Sequence, residues 1–231
     1  MALLVRSWNV FHGNSDPPHR RSHVREMVEL AVSDGPDVLC LQELPVWAVS
    51  DLEAWSGYRS VPAIARPGLR PARVAGWITR LDNGLLRSAI GGQANAVLVQ
   101  RTHATADLGH VQISEGRRER RVCQAVRVDD VVVANLHASS FLGSPDVATG
   151  EIERARAFAE RLTGDGTPLT IAGDFNLAGH GLAGYSTPGP GIDQVLVRGA
   201  SASALVAWPV ERRIRNGRVL SDHAPVEVLV G

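Results

Sequence analysis

The sequence contains no lysine, and arginine supplies all 24 of its basic residues. Cysteine and methionine occur only twice each. Cys40 and Cys123 lie within apolar runs, where a free thiol behaves as a small hydrophobic group, so we expect no structural disulfide. No apolar run is long enough to cross a bilayer, and the N-terminus lacks a basic segment followed by an apolar core. These absences predict a cytoplasmic protein with no membrane span.

An excess of charge of one sign is also absent, because the 24 basic residues balance 24 acidic ones. Zero net charge argues against a protein that coats nucleic acid, but it does not exclude local concentrations of charge. One such concentration runs from 54 to 81, where there are five arginines and no acidic residue. Because the segment is also rich in proline and glycine, we predict a long surface loop, which is either simply solvated or binds substrate.

What is present is the composition of an ordinary globular protein, with 44% hydrophobic and 21% charged residues in a chain of 231. No linker or repeat divides the chain, so we expect one domain over 1–231. Two amphipathic helices are predicted from apolar stripes that begin at Val24 and Ile152. Several strand-like runs are apolar throughout, which predicts packed β-sheets with helices outside. The predicted strands cover 3–10, 37–44, 95–100, 107–114, 122–128, 131–137, 168–174, 192–197 and 224–230.

Polar side chains stand at or beside the ends of several predicted strands. In "IAGDFN", Asp174 and Asn176 follow a buried strand, and turn formation alone would explain this pair. The same placement recurs, however, at Asn9, Gln42, Glu43, Asn135, His137, Asp193, Asp222 and His223. If these groups converge, their carboxylates repel one another unless a cation holds them together.

A hard divalent cation such as Mg²⁺ suits such a cluster, because it binds carboxylate oxygens and leaves positions for substrate phosphate oxygens. Glu43 and Asp222 are candidate ligands, and Asn9 and Asn176 are neutral hydrogen-bonding groups. Nearby histidines add proton transfer or charge stabilisation near neutral pH. A metal ion together with carboxylates, amides and imidazoles is typical of phosphate-ester hydrolysis.

Six short blocks then carry a resemblance to a known family: "SWNV", "LQEL", "NLH", "AGDFN", "IDQVLV" and "LSDHAPV". In this order, over residues 7–226, they resemble the blocks of the endonuclease/exonuclease/phosphatase superfamily, which has the pancreatic deoxyribonuclease-like fold. The resemblance implies an α/β fold, a four-layered sandwich of two mostly antiparallel β-sheets flanked by helices. It also implies a site where strand ends gather at one edge.

The resemblance further implies how a metal is held. Glu43 would be the main ligand of Mg²⁺, with Mn²⁺ as a substitute, and Asn9 and Asp222 would complete or support the metal shell. In the abasic-site endonucleases an acidic residue stands two positions after the Asn of the first block. Here that position is Phe11, so one metal ligand of those relatives is missing.

The remaining matched residues receive catalytic roles by the same resemblance. Asp193 would orient His223, as a carboxylate fixes a neighbouring imidazole. Asp174 and Asn176 would position the attacking water and a phosphate oxygen, and His137 would contact another phosphate oxygen. Family members differ over whether the base is the Asp of "GDFN" or the His of "SDH", and the sequence leaves both open.

The leading hypothesis is therefore a Mg²⁺-dependent phosphodiesterase or nuclease that acts by direct attack of water. Arg70, Arg73 and Trp77 favour a nucleic-acid substrate, because arginine suits phosphates and aromatic rings stack on bases. The zero net charge and the short, Gly-rich segment 176–193 argue against a grip on duplex DNA. The alternatives are hydrolysis of a small phosphorylated metabolite or lipid headgroup, and a non-catalytic binding module on the same fold. No obligatory protein partner is indicated.

Overall fold

The computed structural model describes residues 2–67, 92–115, 120–140, 145–164 and 166–231. Two β-sheets form the centre of this part of the chain. Its strands are β1 (Leu3–Asn9), β2 (Ser15–Asp16), β3 (Val38–Leu44), β4 (Arg59–Arg66), β5 (Gln93–Val99), β6 (Thr105–Gln112), β7 (Val122–Val128), β8 (Val131–His137), β9 (Leu169–Asp174), β10 (Asp193–Arg198), β11 (Val206–Ala207), β12 (Ile214–Arg215), β13 (Arg218–Leu220) and β14 (Val226–Val230).

Helices cover the outer faces of the two sheets. The α-helices are α1 (Val24–Ala31), α2 (Leu52–Ser56) and α3 (Pro145–Arg161), and short 3₁₀ turns span Phe11–Gly13, Val46–Asp51 and Val210–Arg213. No helix within the described ranges has the length and apolar character needed to cross a membrane.

The first large sheet, sheet I, has the strand order β11-β14-β1-β3-β5-β4, and the second, sheet II, has the order β10-β9-β8-β7-β6. An apolar layer that includes Val5, Cys40, Val133 and Ala172 lies between them. On the far side of sheet I, α1 and α2 pack on a second apolar cluster, and α3 packs on a third beneath sheet II. The predicted four-layered α/β sandwich is therefore confirmed.

Each large sheet is antiparallel except for one parallel pair. In sheet I, β1 runs parallel to β3, with Asn9 opposite Gln42. In sheet II, β8 runs parallel to β9, with His137 opposite Asp174. Because parallel strands end at the same side of a sheet, these residues gather at one rim of the sandwich. We call this rim the C-terminal edge.

The loop predicted for 54–81 is wrong over its first part, because β4 occupies Arg59–Arg66 at the margin of sheet I. Alternate residues of β4 are buried, namely Val61, Ala63 and Ala65. Pro62 hides this alternation in the sequence, yet proline is tolerated in an edge strand. Residues 68–91, which hold the rest of the predicted loop, lie outside the described residues.

The contact between β8 and β9 depends on Gly173. This residue has a φ of +142°, and a Cβ atom placed on it would overlap the carbonyl oxygen of Leu136. We expect Gly173→Ala to lower the free energy of unfolding by roughly 3 kcal/mol or more, as measured by urea denaturation, because β9 must move away from β8. Gly109→Ala is the matched control, since Gly109 has a φ of +90° but open space around it. Equal losses in the two variants would show that the close approach is not important.

A histidine links the two sheets at the rim opposite the C-terminal edge. His103 Nε2 lies 2.9 Å from Asp37 Oδ1, next to the start of β3, and its Nδ1 lies 2.7 Å from Asp129 Oδ2, in the β7–β8 hairpin. Burial lowers the pKa of His103, but the hydrogen bonds to Asp129 and Asp37 outweigh it and raise the pKa above its ordinary value. Imidazolium is the form that can donate from both ring nitrogens.

This histidine makes stability depend on pH. A raised folded-state pKa gives a stabilisation that is fully present below the unfolded pKa of about 6.5 and is lost as pH rises through the folded-state pKa. We expect His103→Gln to cost roughly 1–3 kcal/mol at pH 6, where two charge-assisted hydrogen bonds are lost. The difference between variant and wild type should shrink as pH rises above neutrality. Urea denaturation as a function of pH measures it, with the exposed His110→Gln as control, and a difference that does not change with pH would contradict this account.

Candidate active site

Asp174 is the central group of the C-terminal edge. Its carboxylate is buried, and it accepts hydrogen bonds from Asn9 Nδ2 and from the backbone N–H of Asn176, both at 2.9 Å. The same carboxylate lies 3.6 Å from His137 Nε2 and 3.8 Å from His223 Nε2. Four of the residues predicted from strand ends therefore surround it.

His223 lies between two carboxylates. Its Nδ1 is 2.9 Å from Asp193 Oδ2, and its Nε2 faces Asp174. Burial lowers the pKa of His223. This effect is outweighed by the hydrogen bond to Asp193 and by the negative charges of Asp193, Asp174 and Asp222, which together raise the pKa to about 9. Burial and the charge of Asp193 raise the pKa of Asp174 to about 6. The geometry thus favours a cationic imidazole beside a carboxyl group of unusually high pKa.

The backbone that carries His223 is fixed by side chains from distant parts of the chain. Ser221 Oγ donates to the carbonyl of Asn9 at 2.7 Å and accepts from the backbone N–H of His223 at 3.1 Å. Trp8 Nε1 and Arg213 Nη1 both donate to the carbonyl of His223, at 3.0 and 2.9 Å. The imidazole is therefore held in place relative to β1.

Glu43 reaches the edge through an irregularity in β3. The pairing of β3 with β5 shifts between Leu41 and Leu44, and Glu43 has a φ of +54°. Such a bulge re-aims a side chain. The carboxylate oxygens lie 3.4 Å from His12 Nε2 and 3.6 Å from His137 Nε2, beyond normal hydrogen-bond length. In the described ranges, no group donates a hydrogen bond to this carboxylate.

His137 belongs to a second cluster that contains a cation. Gln93 Nε2 lies 3.0 Å from His137 Nδ1, and Arg121 Nη1 lies 2.7 and 3.0 Å from the two ring nitrogens. Burial and the charge of Arg121 hold the pKa of His137 well below its ordinary value. Arg121 therefore places a buried positive charge against the His137 ring, whose Nε2 lies 3.6 Å from Glu43 and from Asp174.

The other predicted residues occupy separate positions. Asn176 Nδ2 donates to the carbonyl of Ala138 at 2.9 Å, so this side chain ties the loop after β9 to the end of β8. Asp222 is exposed, and its Oδ1 lies 3.4 Å from Ser221 Oγ. Arg70, Arg73 and Trp77 lie outside the described residues.

The candidate metal ligands do not form one tight group. Over the described residues, the one set of three acidic, histidine or cysteine side chains with ligand atoms within 4.8 Å of one another is Asp174, Asp193 and His223. Glu43 and Asp222 stand outside this set. The structure therefore divides the polar edge into an acid–imidazole cluster around Asp174 and a separate carboxylate at Glu43.

Three residues at the edge were missed by the sequence interpretation: His12, Gln93 and Arg121. The position of His12 in the loop directly after Asn9 is a signal that could have identified it. Gln93 and Arg121 have no such signal, because neither stands next to a recognisable block, and Arg121 is one of several arginines in its segment.

Unusual backbone conformations concentrate at the same edge. Of the seven non-glycine residues with positive φ in the described part of the chain, five lie here: Phe11, His12, Glu43, Asn176 and Ser221. Left-handed conformations cost free energy in residues with a Cβ atom, and they are typical of functional sites. The surrounding packing therefore imposes these conformations.

The four-layered sandwich and the acid–imidazole cluster at its edge define the deoxyribonuclease-like class of proteins. The family model described as "Endonuclease/Exonuclease/phosphatase family" matches residues 7–223, so the chain belongs to this family. The resemblance inferred from the six blocks is thereby confirmed. The comparison with curated proteins found no match.

Solved structures share the fold at low sequence identity. An endonuclease/exonuclease/phosphatase from Beutenbergia cavernae is 18% identical with a TM-score of 0.70, covering 99% of this chain and 71% of that one. Humanized TDP2 of D. rerio is 16% identical with a TM-score of 0.69, covering 100% and 99%. A mannosyl-6-phosphatase from Bacteroides thetaiotaomicron is 18% identical with a TM-score of 0.61, covering 99% and 100%. At these identities the likeness concerns the fold.

Proposed function

We propose that the protein is a metal-dependent phosphoesterase, in the first place a phosphodiesterase or nuclease, that hydrolyses its substrate by direct attack of water. The observation that carries this proposal is the contact of buried Asp174 with Asn9, His137 and His223 on one edge. Membership in the endonuclease/exonuclease/phosphatase family supports hydrolysis of phosphate esters.

The Glu43 carboxylate is the group that supports binding of a hard divalent cation such as Mg²⁺, or Mn²⁺ in its place. The Glu43 carboxylate is 18% exposed, and the two imidazoles that face it, those of His12 and His137, lie beyond hydrogen-bond length. Its oxygens are therefore available to a cation. Glu43 is the proposed main ligand, and the family resemblance adds Asn9 and Asp222 to the shell. When bound, the ion would neutralise charge on the phosphate.

The chain's own residues would move the proton and hold the phosphate. We assign Asp174 as the group that accepts a proton from water, because Asn9 and Asn176 fix its carboxylate and Asp193 keeps His223 between two acids as a cation. His223 would then stabilise negative charge that develops on the phosphate.

Two further groups would bind the phosphate oxygens. Neutral His137 can donate from a ring nitrogen, and the buried guanidinium of Arg121 beside it supplies positive charge. His137 Nε2 lies 3.6 Å from both Glu43 and Asp174, and Arg121 contacts the same imidazole ring. The proposed site therefore separates proton transfer, at Asp174, from phosphate binding, at His137 and Arg121.

A substrate panel tests the proposal. It contains single- and double-stranded DNA, RNA, an abasic duplex, inositol phosphates and a chromogenic phosphodiester, each assayed with Mg²⁺, with Mn²⁺ and with EDTA. We expect hydrolysis of a diester that requires added metal and stops in EDTA. Activity that is unchanged in excess EDTA would rule out the metal, and a panel without any turnover would favour the binding-module alternative.

A small phosphorylated metabolite is the second candidate substrate. The zero net charge of the chain favours it, because a protein that binds a long polyanion usually carries a basic surface. A related fold occurs in a mannosyl-6-phosphatase. Release of inorganic phosphate from sugar phosphates, without cleavage of DNA or RNA, would identify this activity.

Substitution of Arg70 and Arg73 distinguishes the two substrates. If the arginine-rich segment 54–81 binds a polyanion, the double variant Arg70→Ala, Arg73→Ala should have a higher KM and an unchanged kcat. The dependence of binding affinity on salt concentration should also become weaker, by about one unit of log–log slope for each lost phosphate contact. The exposed pair Arg25→Ala and Arg215→Ala is the control for loss of charge. If the double variant had the wild-type KM at low salt, the segment would have no role in substrate binding.

A further inference from the structure

His12 lies beside Glu43 but has none of the roles assigned above. It sits in the turn Phe11–Gly13, directly after β1, and it is only 6% exposed. The backbone N–H of Phe11 is bound by Asn9 Oδ1 at 2.9 Å. A Cβ atom on Gly13 would come within 2.5 Å of Ser22 Oγ, so the turn packs closely against the following segment. The backbone of the turn is therefore fixed on both sides of His12.

The two side chains approach each other from strained backbone. His12 has a φ of +52° and Glu43 a φ of +54°, and both are residues with a Cβ atom. The fold maintains two left-handed residues on separate segments whose side chains meet at the C-terminal edge. A shared task of the two side chains would account for both.

The distance between the two groups suits a shared ion better than a hydrogen bond. His12 Nε2 lies 3.4 Å from Glu43 Oε2, whereas an N–H···O hydrogen bond is roughly 2.7–3.2 Å long. Two ligands of one ion at bonds of about 2.1 Å lie about 3.0 Å apart in octahedral geometry and about 3.4 Å apart in tetrahedral geometry. The other imidazole near Glu43, His137, faces the Arg121 guanidinium, which repels a cation.

We propose that His12 Nε2 is a ligand of the ion that Glu43 binds, an inference that rests on the metal dependence in the proposed function. An imidazole nitrogen beside a carboxylate oxygen shifts preference from Mg²⁺ towards Mn²⁺, Co²⁺ or Zn²⁺, because nitrogen ligands favour transition metals. His12 thereby sets which metal the site takes, while Glu43 supplies the negative charge.

Pulsed EPR of bound Mn²⁺, without substrate, tests this directly, because it detects a coordinated imidazole nitrogen. We expect a directly coordinated ¹⁴N signal in the wild type and in His137→Ala, and its loss in His12→Ala. Mn²⁺ titration should also show at least about tenfold weaker binding in His12→Ala and unchanged binding in the exposed control His110→Ala. Absence of the nitrogen signal from the wild type, or its persistence in His12→Ala, would overturn the proposal.

His12→Asp separates a ligand from a hydrogen-bond partner. Aspartate tolerates positive φ and offers an oxygen ligand, but when ionised it cannot donate a hydrogen bond to Glu43. We expect His12→Asp to keep metal binding and to raise the affinity for Mg²⁺ relative to Mn²⁺. Weaker binding of both ions in a variant with normal thermal unfolding would overturn the proposal. In that case the new carboxylate would not share the ion with Glu43 and would only repel the Glu43 carboxylate.

The same titrations distinguish this inference from the proposed function. If Glu43→Gln leaves Mn²⁺ binding unchanged, the proposed metal site itself is wrong. If binding depends on Glu43 but shows no coordinated nitrogen, the assignment of His12 alone is wrong. Neither result depends on which phosphate ester the protein hydrolyses.

Discussion

Replacement of His223 with alanine is expected to lower kcat by about 10²–10³-fold, the usual contribution of a group that stabilises charge in the transition state. The imidazole lies between Asp193 and Asp174, and its loss removes a positive charge from the point where the phosphate would acquire negative charge. Steady-state kinetics on the best substrate of the panel measure this change. A variant with near-normal kcat would mean that His223 merely caps the loop before β14.

The partner of this histidine should not act independently. Asp193→Asn removes the negative charge 2.9 Å from His223 Nδ1, so we expect a smaller loss of kcat than in His223→Ala. In the double variant, the loss should be little greater than in His223→Ala alone, because a carboxylate that orients an imidazole has no effect once the ring is gone. Multiplicative losses would contradict the hydrogen-bonded pair, and the exposed Asp130→Asn controls for loss of an acidic charge.

Glu43→Gln should abolish turnover, with a decrease in kcat/KM of roughly 10³-fold or more, because the proposed metal loses its principal charged ligand. Glutamine has the same shape as glutamate and meets the same strain at a φ of +54°, so the fold should remain intact. Kinetics at saturating Mg²⁺ or Mn²⁺ measure the loss, and thermal unfolding verifies the fold.

The exposed Glu29→Gln on α1 is the control for this variant, since the ion pair of Glu29 within the described residues is with Arg25 on the same helix face. It should keep wild-type kinetics. Restoration of Glu43→Gln activity by a modest excess of metal would indicate that Glu43 assists the ion without being its main ligand.

The architecture could largely be predicted from the sequence, because long apolar runs and ordered blocks extend along the whole chain. The strand before "GDFN" was predicted as 168–174 and is Leu169–Asp174 in the structure. The predicted strands 122–128 and 131–137 are Val122–Val128 and Val131–His137 in the structure, and Asp129 and Asp130 form the turn between them. By contrast, β4 escaped prediction because Pro62 and its arginines obscure the alternation of buried residues, and the shortest strands contain too few residues to show any period.

The geometry of the site was harder to predict from the sequence, because it depends on irregular backbone and on contacts between distant segments. The sequence identifies Glu43 as polar, but the bulge in β3 that turns its carboxylate towards His12 and His137 has no local pattern. Arg121 reaches the site only because β7 lies beside β8 in sheet II. Pairing between Asp174 and Asn9 across the two sheets likewise follows from their packing and not from either segment alone.

Gln42 and Asn135 form a buried polar contact between the two large sheets. Gln42 Nε2 in sheet I donates to Asn135 Oδ1 in sheet II at 2.8 Å, two residues before His137. Since this contact is buried and neighbouring groups come from both sheets, neither sheet can hold a working site by itself. Loss of enzymatic activity in denaturant should therefore follow the same curve as the loss of tertiary structure. A fragment of residues 105–198, which carries sheet II alone, should be inactive unless it is refolded together with the two flanking segments that form sheet I.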